Sequence, residues 1–252
     1  MTGFRWEIIE EYGPLFVDGA LMTIKCTIIC VILGTLWGLT LGIGRMAKAE
    51  HGPWKYILRY LVQFPVRFYV SAFRGTPLFV QIMVVHFALV PLFINPRDGL
   101  LVTSGLMSAD FARELRASYG AFLSCIVAIT LNAGAYVSEI FRAGIQSIDR
   151  GQYEGAKVLG LTYGQTMRRI ILPQMWTRIL PPVSNETITL VKDTSLIYVL
   201  ALNDLLRVAR GMVQRDFTFT PFIVAGCFYL GMTLILTWVF QYLERRHARF
   251  DA

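Results

Sequence analysis

Charge is scarce in this chain. Of its 252 residues, 16% are Asp, Glu, Lys or Arg, against nearer a quarter in soluble domains. With 55% hydrophobic residues and a mean hydropathy of +0.52, that leaves almost no soluble remainder once the apolar runs are set aside. A phosphate-binding Gly-x-x-x-x-Gly-Lys-Ser/Thr loop is missing, and so is any Gly-Lys pair, so any ATP hydrolysis must happen on another polypeptide. The four cysteines, Cys26, Cys30, Cys125 and Cys227, sit in apolar stretches with no His, Asp or Glu to complete a ligand set. They read as thiols in the lipid phase, with neither metal nor disulfide expected. The first seventeen residues carry four charged side chains and no apolar h-region, so no cleavable signal peptide is expected. The net charge of +7 sits at the edges of apolar runs, not in a patch, which points to a membrane surface and away from nucleic acid.

What is present is a series of apolar runs. A helix needs roughly 20 apolar residues to cross the hydrocarbon, and five runs meet this, at about 19–44, 76–95, 119–141, 179–201 and 219–243. Between the first two, Trp54 to Phe73 interleaves Lys55, Arg59 and Arg67 with Tyr56, Leu61 and Phe68. That pattern predicts an amphipathic helix on the membrane surface, broken at Pro65. An N-terminus outside puts fourteen Lys and Arg residues on the inner side and seven on the outer. The expected fold is an all-α integral membrane protein. It is a single transmembrane domain over residues 1–252 with five transmembrane helices, N-terminus outside and C-terminus inside.

The polar loop at about 142–174 carries its own shape signals. Asp149, with Gln152 three residues on, predicts a capping box at the start of one helix. Gly160 can turn left-handed at its end. Thr162 with Gln165 repeats the box for a second helix, expected to stop before Pro173. Two short helices joined at a glycine make a rigid knob, a shape that an ordinary interfacial helix pair would also have.

Within this loop, Glu154-Gly155-Ala156-Lys157-Val158-Leu159-Gly160, then nine residues, then Ile170-Ile171-Leu172-Pro173, resembles the EAA loop of ABC importer permeases, with Gly155 in place of the usual Ala. Six further stretches occur in the order shown by the polar amino acid uptake branch of that family. They are Arg74-Gly75-Thr76-Pro77-Leu78, Asn132-Ala133-Gly134-Ala135-Tyr136-Val137-Ser138-Glu139, Arg142-Ala143-Gly144-Ile145, Gly151-Gln152-Tyr153-Glu154, Ile171-Leu172-Pro173-Gln174 and Leu190-Val191-Lys192-Asp193-Thr194-Ser195-Leu196. The resemblance implies a multi-pass permease of the bacterial inner membrane. Residues Asp149, Gly151, Glu154, Gly155, Ala156, Gly160 and Thr162 would then belong to a coupling helix seated on a separate ATPase. The implied partners are ATP-hydrolysing cassette subunits at the cytoplasmic face, a second permease chain, identical or paralogous, and an extracytoplasmic amino-acid-binding protein. No cofactor is expected on this chain, since ATP and Mg would be bound by the ATPase. The outer segment from Asn95 to Tyr119 is longer than that branch usually has, and its Leu100, Leu101, Val102, Leu106 and Met107 predict a small surface helix.

Polar groups at membrane depth cost roughly 2.5–3.5 kcal/mol on insertion scales and need a reason. The third run places Asn132, Tyr136 and Glu139 on one helical face, and the fourth places Asn185, Thr189 and Lys192 on another, with Glu186 and Asp193 beside it. Pro181-Pro182 is expected to break the fourth run and free backbone groups. Such stripes suit a zwitterion, whose ammonium wants a carboxylate and whose carboxylate wants donors. They also suit interhelical packing, the first expectation for Asn132, Ser138 and Thr187. Glu139, close to Arg142, stands equally for substrate contact and for a structural ion pair or gate. Lys192 and Asp193 are about 100° apart on a helix, so one of them is expected in a structural pair. Thr76 is expected to cap the second run, with Pro77 in its first turn. His86 reads as core. An ion-coupled secondary transporter is the rival class, but matching repeats are not found. An intramembrane enzyme would need a set of paired acids, a Ser/Lys dyad or a metal set that the runs do not supply.

Overall fold

The computed structural model describes residues 7–46, 52 and 56–248. Arg5, Lys48, Trp54, Lys55 and Arg249, which entered the sequence reading, lie outside them. The described residues are helical, with no strand among them. In chain order the helices are α1 (Glu7–Met46), α2 (Phe64–Gly75), α3 (Leu78–Val84), α4 (Val90–Ile94), α5 (Leu100–Thr103), α6 (Ala109–Gln146), α7 (Arg150–Val158), α8 (Tyr163–Thr166), α9 (Leu172–Asp193), α10 (Leu205–Asp216) and α11 (Thr220–Ala248).

By length and composition three helices can cross a membrane alone, over residues 9–46, 109–146 and 220–246. The pair 58–75 and 78–94 passes the same test together, bent by 113° at its break. Helix α9, over the fourth expected run, carries too many polar positions to pass, and that span remains an expectation.

α1 and α6 form the backbone of the molecule. They run parallel, and glycine brings them together. A Cβ on Gly34 would lie 2.8 Å from the Ala133 Cβ, and one on Gly38 would lie 2.6 Å from the Val137 Cβ. Gly34, Gly38 and Gly42 recur every four residues on one face of α1, so the groove they leave accepts α6 along about two turns. Trp37 in turn covers Gly134. Buried apolar clusters follow along the axis, with Phe16, Leu205 and Met212 at one end, Ile82, Ile129 and Ile197 further along, and Phe141, Ile171 and Ile179 at the other.

Prolines behave differently from the sequence reading. Pro65, Pro91 and Pro173 each stand in the first turn of a helix that directly follows a π-turn, at Leu58–Gln63, Val85–Leu89 and Met167–Ile171. A π-turn widens the helix by one residue, which relieves the clash between the proline ring and the carbonyl four residues back. The chain therefore stays helical through Pro65 and Pro173, where a break and a stop were expected. It also stays helical through Pro181 and Pro182, inside α9.

α2 differs as well. Its C-terminal half does not stay on a surface. The Tyr69 hydroxyl donates to the Leu131 carbonyl at 2.6 Å, midway along α6, and accepts from Trp37 Nε1 at 3.0 Å. Thr76 caps no helix start. It closes α2, its hydroxyl donating back to the Ala72 carbonyl at 2.8 Å, and α3 begins after Pro77 without a side-chain cap. Of the segment from Asn95 to Tyr119, residues 109–119 are the first turns of α6, which begins at Ala109 under a Ser108 cap, and the small helix expected before them is the four residues of α5.

Candidate functional site

Two polar regions stand out, an elbow at residues 149–166 and a cluster around Glu139. In the elbow, the Asp149 carboxylate accepts from the Gly151 N–H at 2.6 Å and starts α7. The expected box with Gln152 does not close, because the Gln152 side chain accepts from Gln174 Nε2 at 3.2 Å and ties α7 to α9. At the other end Gly160 takes φ +75, Leu161 N–H donates to the Ala156 carbonyl, and Gly160 N–H donates to the Lys157 carbonyl. These two bonds make a Schellman stop, which needs a left-handed residue that glycine alone adopts freely. The second box closes in both directions: Thr162 Oγ1 accepts from Gln165 N, and the Gln165 side chain accepts from Thr162 N.

Two residues of the elbow are buried, Ala156 in α7 and Thr166 at the end of α8. Glu154, Gly155, Lys157 and Gly160 are exposed, and Val158 and Leu159 stand 87% and 77% exposed at the tip. Two large aliphatic side chains held out by a capped, rigid turn form a surface shaped for a partner. The space where a Gly155 Cβ would go is empty.

The second region centres on the Glu139 carboxylate of α6. Arg45 Nη1 donates to it at 2.7 Å from the end of α1, Arg142 Nε donates at 3.0 Å from the next turn of α6, and Arg74 Nη1 lies 3.9 Å away. Arg142 Nη2 also reaches it. One half-buried carboxylate thus gathers three guanidiniums from three helices. Arg74 in addition lies 5.4 Å from the Tyr136 ring, in cation–π range.

Behind this cluster opens a cavity of about 410 Å³ between α6 and α9, with Arg74, Tyr136, Glu139, Arg178 and Glu186 in its lining. Glu186 enters it without a salt bridge among the described residues. Arg178 bonds to Ser147, joining α9 to the end of α6.

The other candidate residues fall as follows. Asn132 is buried and donates to Gln81 Oε1 at 2.9 Å and to the Phe73 carbonyl at 3.3 Å, while Gln81 Nε2 donates to the Phe73 and Thr76 carbonyls. This network fastens the break between α2 and α3 onto α6. The buried Thr187 hydroxyl donates to the Val183 carbonyl. Asn185, Thr189 and Lys192 are exposed on α9 and are not among the residues lining the cavity, and neither Lys192 nor Asp193 forms a salt bridge with a described residue. Tyr136 and Glu139 are therefore brought together with Glu186, and apart from the Asn185 stripe. His86 is half-buried, with Nδ1 2.9 Å from the Ser124 hydroxyl, which donates to the Gly120 carbonyl. Sequence reading missed Arg45, Gln81 and Arg178 as partners, and it passed over the Gly34-x-x-x-Gly38-x-x-x-Gly42 signal that marks the α1–α6 contact.

With this geometry in hand, the chain belongs to the family described as binding-protein-dependent transport system inner membrane component, whose family profile matches residues 58–249. It is 34% identical to the arginine transport system permease protein ArtQ of Bacillus subtilis, over 92% of each chain. It is also 34% identical to the glutamate/aspartate import permease protein GltK of Escherichia coli O6:H1, over 98% of this chain and all of that one. A solved amino acid ABC transporter with histidines matches at a TM-score of 0.78 and 30% identity, covering 98% of this chain and 100% of that chain. The permease resemblance drawn from the motifs is borne out, and the chain is a multi-pass helical membrane protein of that family.

Proposed function

We infer that this chain is the membrane-spanning subunit of an ATP-driven importer for polar amino acids. Separate cassette ATPases would drive it, a second permease chain would complete it, and an extracytoplasmic binding protein would feed it. The observation that carries this reading is the elbow: two capped helices that expose Val158, Leu159 and Glu154 beyond the membrane helices, in a chain whose relatives are named amino-acid permeases. On this reading α7 seats in a cleft of the ATPase, and Asp149, Gly151, Gly155, Ala156, Gly160 and Thr162 set its shape.

The substrate would pass between α6 and α9. Glu186 and Tyr136 offer an acceptor and an aromatic face to an ammonium, while Arg74 offers a donor to a carboxylate. The exposed polar stripe Asn185, Thr189 and Lys192 would line the same path where the second chain meets α9. The membrane topology proposed is five spans with the N-terminus outside. The relatives carry arginine in one case and glutamate or aspartate in another, so the particular amino acid is left to the binding protein.

Vesicles holding this chain with its ATPase and binding protein test the reading. Uptake should require internal ATP; uptake driven by an ion gradient without ATP would hand the chain to the secondary-transporter class. For topology, in a Cys227→Ser background a thiol at Leu106 should label from outside and one at Val158 only from inside. Labelling of both from one side would break the five-span arrangement.

A further inference from the structure

A cavity larger than the first lies on the other side of the Glu139 cluster, at the end of the molecule that carries α7. It measures about 1180 Å³, and four guanidiniums line it, those of Arg45, Arg67, Arg142 and Arg150. Its lining holds a single carboxylate, Glu139, which is already engaged by Arg45 and Arg142. Arg67 and Arg150 form no hydrogen bond or ion pair among the described residues. The cavity therefore carries a surplus of about three positive charges. Tyr153, Tyr163, Gln63 and Gln146 add polar groups to the wall.

A second, smaller cleft of about 180 Å³ adjoins it, lined by Arg59, Tyr60, Gln63, Phe64 and Arg67, so Gln63 and Arg67 belong to both. Beyond it the same helical stretch turns an apolar face outward, where Tyr60, Leu61, Phe64 and Phe68 are 61–71% exposed. A cationic hollow thus continues, over one helix, into an exposed aromatic and aliphatic strip. A free anion would use the first feature and leave the second without purpose. A molecule with a phosphate head and hydrocarbon tails would use both.

We propose that this hollow binds an anionic phospholipid, its phosphate held by Arg67 and Arg150 and its acyl chains lying along Tyr60, Leu61, Phe64 and Phe68. Guanidiniums suit the role because their planar fork takes phosphate oxygens two at a time. The placement has a mechanical consequence. Arg67 precedes the break into α3, whereas Arg150 opens α7. One headgroup would therefore clip the elbow to the membrane-facing helix that leads into the substrate cavity.

The test uses the full-length chain in detergent, titrated with phosphatidylglycerol or with phosphatidylcholine, with bound lipid counted by native mass spectrometry. Phosphatidylglycerol should bind at least tenfold more tightly than phosphatidylcholine. Arg67→Gln with Arg150→Gln should weaken phosphatidylglycerol about 30-fold, about 1 kcal/mol for each guanidinium removed, and leave phosphatidylcholine unchanged. Both arginines lack partners among the described residues, so the double variant should keep its helical circular dichroism. Should it misfold, Arg67→Lys with Arg150→Lys keeps the charge and should keep the lipid preference. Phe64→Ser with Phe68→Ser should weaken both lipids alike. Equal binding of the two lipids, unchanged phosphatidylglycerol binding in the arginine double variant, or full displacement by millimolar inorganic phosphate would each overturn the proposal, the last by leaving a free-anion site only.

Discussion

The elbow at residues 149–166 and the cluster around Glu139 adjoin in the chain but are built in opposite ways. The bonds that define the elbow's turns join residues no more than five apart: Asp149 to Gly151, Leu161 to Ala156, Thr162 to Gln165. The cluster draws on residues 45, 74, 139 and 142, from three helices, and its cavity adds residue 186 from a fourth. A locally bonded device keeps its shape when its surroundings move, which suits the coupling role proposed for it. A cluster assembled from distant helices changes whenever those helices shift, which suits a gate.

The sharpest way to break this contrast is Gly160→Pro. Proline holds φ near −65° and lacks the N–H that donates to Lys157, so it cannot take the +75 observed. Substrate-stimulated ATP hydrolysis by the assembled transporter should fall about tenfold or more, toward the basal rate, for a local cost of about 2 kcal/mol or above. Glu154→Lys should act in the same direction. Expression and membrane insertion should persist, and normal stimulation in both variants would remove the elbow from coupling.

Glu139→Gln probes the other side. The change leaves Arg45 and Arg142 facing each other half-buried, and should lower stability in a thermal melt by about 2–3 kcal/mol. A double cycle with Arg45→Gln should recover at least about 1 kcal/mol of that loss. Loss of uptake in a thermally unchanged complex would instead make Glu139 a substrate contact. If neither stability nor uptake changes, the cluster has no role of either kind.

Smaller effects are expected from Gln81→Leu, which strips Asn132 of an acceptor and the Phe73 and Thr76 carbonyls of a donor. It should cost about 1–2 kcal/mol, less than additively with Asn132→Leu. Independent, fully additive losses would separate the α2–α3 break from α6. The smallest effects belong to the elbow's own helices. Thr162→Ala should weaken α8 by about 1 kcal/mol, and Gly155→Ala should strengthen α7 by about 1 kcal/mol because the site has room for a Cβ. Amide exchange over residues 151–166 reads both, faster in the first and slower in the second. If exchange at Glu139 changed in step, the two regions would not be independent.

The legibility of these regions follows the same division. Gly160, Thr162 and Gln165 announced their bonds, because capping depends on residues one turn apart. Asp149 did so only in part, since Gln152 had a stronger claim from Gln174, twenty-two residues on. Pro65 and Pro173 carry the signal of an interruption, but a π-turn directly before each one absorbs it and the chain stays helical. Arg45 gave no sign that it would meet Glu139.

The sequence by itself determined the membrane class, the apolar stretches at residues 19–44, 119–141 and 219–243 that lie within the three long helices, and the elbow, because hydropathy and caps act through the solvent and the nearest turn. Which acid each arginine would meet, which face of α9 would turn inward, and how deep α2 would reach were decided only by the tertiary structure. Gly34 and Gly38 let α1 lie close against α6, and that close approach is what lets Arg45 at the end of α1 reach Glu139 on α6.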